Sequence, residues 1–188
     1  MEQANFSTSD NAQQHNGAAK PHVVILKWNP SFSSYRMTDH LLIMVDLING
    51  ESEYHHNWSV HDYTIIRPGD RFYFVKVGYG QTGIVGCGTI TSDPYKDQDW
   101  SGQGRDTYYV DFVPDVFLNP DALEILTSAV LTRLIPDFDW YRGHSGIVLN
   151  EAQGDALNAA WSKYMARMKS LFELKMQRED QDYVYIRK

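Results

Sequence analysis

The chain has one cysteine, Cys87, in 188 residues. No disulfide can form within it, which fits a reducing compartment and a cytoplasmic location. Cys87 lies in the apolar run from Gly83 to Ile90, where buried strand filler is the ordinary role of such a side chain. No apolar run approaches the roughly 20 residues of a membrane-spanning helix. Residues 1–20 have neither the basic start nor the apolar core of a secretory signal. They are polar and offer almost nothing to bury, so a disordered tail is expected there.

A basic surplus is also absent. The net charge is −7, which argues against broad, phosphate-driven binding of nucleic acid. Between Leu131 and Arg178, however, seven basic side chains stand against five acidic ones. A solvated helix surface accounts for that local excess, and a basic face is the alternative.

The recognised phosphate-binding and metal-binding patterns are missing too. Gly78-Tyr79-Gly80 and Gly102-Gln103-Gly104 lack the following helix start with Lys-Ser/Thr and the third spaced glycine of a nucleotide loop. Seven histidines are present, but His55, His56 and His61 have neither His-x-x-x-His spacing nor thiolate partners, so no metal is expected. Asp97, Asp99 and Asp106 do not follow calcium-loop spacing. Ser145 lacks the framing of a nucleophile elbow, although His144 precedes it. No catalytic residue and no cofactor are expected, and the chain is read as not an enzyme.

Aromatic residues, by contrast, are plentiful: 12 Tyr, 8 Phe and 5 Trp. The length favours one domain, placed at residues 21–175 between the 1–20 tail and a 176–188 C-terminal tail. His22–Trp28 reads as a strand ended by Asn29-Pro30. Thr38 can cap a helix through Ile48, stopped by Asn49-Gly50, although Leu41–Val45 also suits a strand. Arg67-Pro68-Gly69-Asp70 spells a turn before a strand from Arg71 to Val77. A second strand runs from Ile84 to Thr91, where Gly83, Gly86 and Gly88 point to bulges or close backbone approach. A loop is expected from Ser92 to Arg105, then a strand from Thr107 to Val113. Asn119-Pro120 predicts a short helix through Thr127. Asn150 and Gln153 form the two ends of a capping box for a longer helix. Its stripe of Leu157, Ala160, Trp161, Tyr164, Met168, Leu171 and Phe172 recurs at helical spacing. Tyr183–Ile186 can add an edge strand or meet a partner. The expected class is α+β, with a mainly antiparallel β-barrel flanked by helices.

Trp28, Trp58, Trp100 and Trp140 sit in polar, loop-like settings, whereas Trp161 lies on the helix stripe. Tryptophan beside Asn or Ser offers a face for stacking and donors for a base edge. Core packing, with Trp58 and Trp140 plugging the barrel ends and each indole N–H bonded locally, is the better reading from composition alone.

Several motifs in order bear on that choice: Leu26-Lys27-Trp28-Asn29-Pro30, Asn57-Trp58-Ser59-Val60, Pro68-Gly69-Asp70-Arg71-Phe72, Thr82–Gly88, Thr91–Tyr95 and Trp140…His144-Ser145-Gly146. Together, from about Val23 to Tyr164, they resemble the EVE domain branch of the PUA-like superfamily. The similarity is greatest to EVE-like domains found alone in bacterial genomes or fused to restriction endonucleases, and the YTH domains are relatives.

The resemblance implies a β-pseudobarrel with a pocket for a modified base, typically methylated or hydroxymethylated cytosine. It implies Trp58 as a cage wall, Ser59 at the polar edge of the base, and Trp28 and Asn29 as a second wall and an amide. Ser145 and Gly146 match the late Ser-Gly, while Tyr79, Trp100 and Trp140 supply further aromatic surface. Arg36, Lys76, Arg105 and Arg142 are the candidates for nucleic-acid backbone contact. The partners implied are a modified DNA or RNA nucleotide and, since no nuclease signature occurs here, a separate nuclease or other effector protein. A protein- or small-molecule-binding module on the same barrel is the alternative.

Overall fold

The computed structural model describes residues 19–50, 56–176 and 184–187. The expected N-terminal tail up to residue 18, His55 of the histidine cluster, and residues 177–183 lie outside them. The described elements are β1 (Val23–Trp28), α1 (Met37–Asn49), β2 (His56–Val60), β3 (Arg71–Lys76), β4 (Gly83–Ile90), β5 (Tyr95–Gln98), β6 (Asp106–Leu118), β7 (Leu126–Thr127), α2 (Ser128–Leu134), β8 (Ile147–Val148), α3 (Glu151–Met176) and β9 (Val184–Ile186).

One curled sheet runs in the order β2-β6-β4-β3-β1-β8, with β5 and β9 on β6 and β7 on β4. The described pairings are antiparallel except β1 with β3, which run parallel from Val23 opposite Arg71 to Trp28 opposite Lys76. Parallel neighbours need a crossover, and the stretch containing α1 and β2 supplies it. The curl closes where the chain beyond β2 meets the chain before β8. His61 N–H donates to the Ser145 carbonyl at 3.0 Å, and Asp62 N–H to the Gly146 carbonyl at 2.9 Å. The architecture is the expected α+β, a curled, mainly antiparallel sheet flanked by helices.

The glycine pattern in β4 has the cause its sequence indicated. A Cβ on Gly86 would lie 2.4 Å from Phe117 Cδ1, and one on Gly88 would lie 2.1 Å from the Val113 carbonyl oxygen. The register with β6 slips between Cys87 and Gly88, opposite Pro114. A proline without an N–H is tolerated in a sheet at such a bulge. The curl therefore tightens where the two strands touch backbone to side chain.

Local signals at the helix ends were partly overridden. Arg36, not Thr38, is the N-cap of α1, and the Asp39 carboxylate accepts Arg36 N–H at 2.7 Å. At α3 the capping box forms as spelled, with Gln153 N–H on Asn150 Oδ1 at 3.0 Å and Asn150 N–H on Gln153 Oε1 at 3.1 Å. Leu157, Trp161, Tyr164, Met168 and Phe172 are buried, but Leu171 at the stripe's edge is exposed. Burying side chains of this size stabilises by about 1.5–3 kcal/mol each.

The helix expected after Asn119-Pro120 does not form. Asn119 Oδ1 accepts Asp121 N–H at 2.9 Å, but the Gln81 amide then takes over the next backbone groups. Its Nε2 donates to the carbonyls of Pro120 and Leu123 at 2.6 and 2.8 Å, and its Oε1 accepts Ile125 N–H at 3.4 Å. Those polar groups are satisfied without a helical ladder, and α2 begins at Ser128 instead. The loop expected over Ser92–Arg105 contains β5, paired with β6 from Tyr95 opposite Tyr109 to Gln98 opposite Asp106. Val184–Ile186 adds an edge strand to β6. Among the described residues no helix is long and apolar enough to cross a membrane.

Candidate functional site: a tryptophan-lined cavity beside the barrel

Strand β2 alternates in burial, with His56 and Val60 buried, Asn57 exposed, and Trp58 and Ser59 half-buried. Trp58 sits against Phe74 with ring centroids 4.8 Å apart and planes at 90°. Its indole N–H donates to Ser145 Oγ at 3.0 Å and lies 3.2 Å from the Lys27 carbonyl. The ring is thus tied on the barrel side. It lines a cavity of about 520 Å³ together with Tyr35, Asp39, Ser59, Trp100 and Tyr109. That volume falls within the roughly 300–1,000 Å³ of small-ligand sites.

Three segments build this cavity. The first is the turn Ser33-Ser34-Tyr35 with the first turns of α1. Arg36 holds this turn by donating from Nη1 to the carbonyls of Pro30 and Ser31 at 3.0 and 2.9 Å. Tyr35 stands edge-on to Trp58 at 5.8 Å and 81°. Its hydroxyl donates to His40 Nδ1 at 3.1 Å, while His40 Nε2–H donates to the Leu118 carbonyl at 3.1 Å. Burial holds the His40 imidazole down at about 4, so it is neutral at neutral pH.

The second segment is β2, which supplies Asn57, Trp58 and Ser59. The third is the β5–β6 turn, which carries Trp100. Asp99 N–H donates to the Arg105 carbonyl at 2.7 Å, and Trp100 N–H to the Tyr109 hydroxyl at 3.1 Å. This fixes the loop while its indole stays half exposed. The cavity also carries the carboxylates of Asp39 and Asp46, so its polar edge is acceptor-rich and acidic.

The structure divides the residues singled out in the sequence. Trp58, Ser59 and Trp100 meet at this cavity. Trp28 does not join them: it is 0% exposed, stacked on Phe74 at 5.4 Å, with its N–H on the Tyr35 carbonyl at 2.8 Å. Trp140 is likewise 0% exposed and donates to the Ile135 carbonyl at 3.2 Å. For both, core packing has absorbed the ring, and neither presents a face to a ligand. Asn29 caps its own turn through Oδ1 and Ser31 N–H at 3.1 Å, and lies against Gly78. Tyr79 is 91% exposed and lies outside the cavity.

Ser145 and Gly146 stand behind Trp58. Ser145 Oγ accepts the Lys27 N–H at 2.9 Å as well as the indole. A Cβ on Gly146 would lie 2.3 Å from Val60 Cα, and its φ of +71° disfavours any other residue. Lys76, expected at a nucleic-acid backbone, is 3% exposed and donates to the carbonyls of Tyr79 and Gln81 at 2.6 and 2.9 Å. Its ammonium is spent inside the β3–β4 turn, and burial pulls its pKa down. The Arg105 guanidinium donates to Gln103 in its own loop, and Arg142 is exposed near His144.

Tyr35, Asp39, Asp46 and Tyr109 escaped sequence reasoning. The ambiguity of Leu41–Val45 between helix and strand hid which side chains of α1 share a face. Asn57 was signalled beside Trp58, Ser59 and Trp100, through the Asn57-Trp58-Ser59-Val60 motif.

Other reactive groups are occupied. Cys87 is buried beside the Arg71 guanidinium at 3.1 Å, and burial pushes its thiol up to about 11. Hydrogen bonding from the Ser101 hydroxyl, and then from its N–H, holds the Asp99 carboxyl below the usual range. Asp106 pairs with Lys96 at 2.7 Å. Among the described residues no group of three or more His, Cys, Asp or Glu side chains can hold a metal ion.

No family model matches the chain, and no curated protein does. Solved structures similar to it include a hypothetical protein from Leishmania major, at 15% identity over 78% of this chain and 98% of the other, TM-score 0.49. Human THYN1 in complex with 5-methylcytosine-containing DNA is similar at 14% identity over 74% and 96%, TM-score 0.48. The Mmi1 YTH domain in complex with RNA is similar at 14% identity over 80% and 82%, TM-score 0.45. Likeness at this level assigns no function to the chain.

Proposed function

We propose that this protein is a non-catalytic cytoplasmic module that holds one modified base of a nucleic acid, methylated or hydroxymethylated, in the Trp58 cavity. The observation that carries the reading is the convergence of Trp58 and Trp100 on a single 520 Å³ cavity with Ser59 at its edge. Aromatic rings supply stacking that every base can use, and Ser59, Asn57 and Asp39 supply acceptors and donors for a base edge. Asp39 and Asp46 favour a ligand edge carrying N–H donors and disfavour a phosphate inside the cavity. The modified-base class comes from the motif order, Trp58-Ser59 in particular. The engagement of Ser145 Oγ, Cys87 and Asp99 in local bonds supports a binding role over a catalytic one.

With Lys76 buried and a net charge of −7, phosphate contacts contribute little. The preferred form is therefore a single-stranded or already extruded nucleotide, because unstacking a paired base costs a few kcal/mol. Affinity on duplex DNA would need a partner, such as a separate nuclease, to supply it.

The test is a titration of tryptophan fluorescence with short oligonucleotides carrying 5-methylcytosine, 5-hydroxymethylcytosine, N6-methyladenine or no modification. One modified strand is expected to bind at least ten-fold tighter than its unmodified counterpart, and Trp58→Ala to abolish the difference. The salt slope should stay near that of one or two phosphates, roughly −0.7 each for a single strand. Equal binding of all strands by the wild type and Trp58→Ala would sink the reading. The same acidic edge favours a second reading, a free heteroaromatic metabolite bearing amino groups, and its mark is a small molecule that co-purifies with no affinity for any oligonucleotide.

A further inference from the structure

The groove does not end at Ser59. Ser59 also lines a second cavity, of about 440 Å³, into which β2 runs out through Val60, His61 and Tyr63. Two ring pairs form its walls. Tyr63 lies on Tyr108 with centroids 3.6 Å apart and planes at 6°, and His61 lies on His144 at 4.6 Å and 25°. The barrel closure brings the histidines together, because His61 N–H bonds the Ser145 carbonyl. Lys27 anchors the adjoining loop by donating to the carbonyls of Asp139 and Arg142.

The polar groups of this second cavity differ from those of the first. Asp62 spends one oxygen on His61 Nδ1 at 3.0 Å and the other on Val148 N–H at 2.8 Å. Asp106 is paired with Lys96. With Nδ1 of His61 engaged, its Nε2 is the ring nitrogen open to a ligand, and the His144 side chain makes no hydrogen bond among the described residues. Acceptor-rich carboxylates thus line the first cavity, while imidazole nitrogens and a tyrosine face line the second. Ser59 lines both and joins them.

We propose that the second cavity holds the nucleotide next to the modified base on the same single strand. This rests on the base-pocket reading. The flanking base stacks on the outer face of Tyr63, and the connecting phosphate takes a hydrogen bond from a ring N–H of His144, while His61, whose Nδ1–H is given to Asp62, offers Nε2 as an acceptor to an N–H or O–H of the strand. The acidic Trp58 cavity excludes that phosphate, so the strand is held in one placement across Ser59.

The experiment compares each modified nucleoside alone with a trinucleotide centred on the same base. It uses the full chain, the double variant Tyr63→Ala/His144→Ala, and NMR signals of the Trp58 indole N–H and the His61 and His144 rings. Both substituted side chains are exposed at the rim and line no part of the Trp58 cavity. The trinucleotide is expected to bind about ten-fold tighter than the nucleoside, to move both sets of signals, and to lose its gain in the double variant while nucleoside affinity is unchanged. A trinucleotide that binds no tighter than the nucleoside, or keeps its gain in the double variant, overturns the second site and leaves the base pocket standing. A strand that moves the histidine signals without the Trp58 indole overturns the base pocket and with it the flanking role. Silence of both sets of signals overturns both.

Discussion

The indole N–H of Trp58 donates to Ser145 Oγ across 3.0 Å, joining residues 87 positions apart. The same oxygen accepts Lys27 N–H at 2.9 Å, so one serine ties β1 to β2 and fixes the ring that faces the cavity. Removing this half-buried acceptor costs about 1 kcal/mol. Ser145→Ala is expected to lower stability by that amount in urea unfolding and to weaken ligand binding by loosening Trp58. Trp58→Phe keeps a stacking face but gives up the tie, so it should retain more affinity than Trp58→Ala in the same titration. If Ser145→Ala changes neither quantity, the serine does not position the indole.

Gly146 sits where a side chain has no room. Gly146→Ala combines a left-handed backbone with a Cβ 2.3 Å from Val60 Cα, and should cost more than about 3 kcal/mol or prevent folding. Gly102 has nearly the same φ, +70°, with nothing within 4 Å, so Gly102→Ala should cost only about 1 kcal/mol. Thermal unfolding of the two variants separates the clash from the conformational preference. Equal losses would place Gly146 outside the barrel closure.

His40 makes stability depend on pH. Burial lowers its folded-state pKa to about 4 from an ordinary 6.5. The unfolded chain therefore binds more protons than the folded one between those values, and stability rises with pH across that window. Stability is full above about pH 6.5 and falls on acidification, by on the order of 3 kcal/mol once pH 4 is reached. His56, also held down to about 4 by burial, acts in the same direction. Protonating His40 also removes the acceptor of the Tyr35 hydroxyl, so ligand affinity should fall with stability. Urea midpoints at pH 7 and pH 5 check this, with a lower midpoint expected at pH 5. A flat or inverted profile contradicts it, and His40→Gln should flatten the wild-type slope.

Elements whose local chemistry faces no competitor could be read from sequence. The Asn150–Gln153 box and the Arg67–Asp70 turn form as spelled, because each is satisfied by neighbours within a few residues. The Asn119-Pro120 signal is equally local, yet a glutamine some 40 positions away captures the backbone groups that a helix would have used. The parallel pairing of β1 with β3 and the existence of β5 also depended on partners far along the chain.

For the candidate site, the order of motifs was enough to single out Trp58 and Ser59, and composition to show that aromatic rings were in excess. Composition and local setting alone could not rank the four tryptophans, since indole burial depends on what the closed barrel leaves beside it. Folding spends Trp28 and Trp140 on the core. It brings Trp100 from a separate loop to line the same cavity as Trp58, and adds Tyr35 from the turn before α1 and Asp39 from a helix whose face was illegible. The sequence by itself determined the chemistry available, namely flat rings with acceptors and little phosphate-binding charge. Only the tertiary structure decided which rings share a cavity, because barrel closure at Ser145-Gly146 sets the gap between β1 and β2.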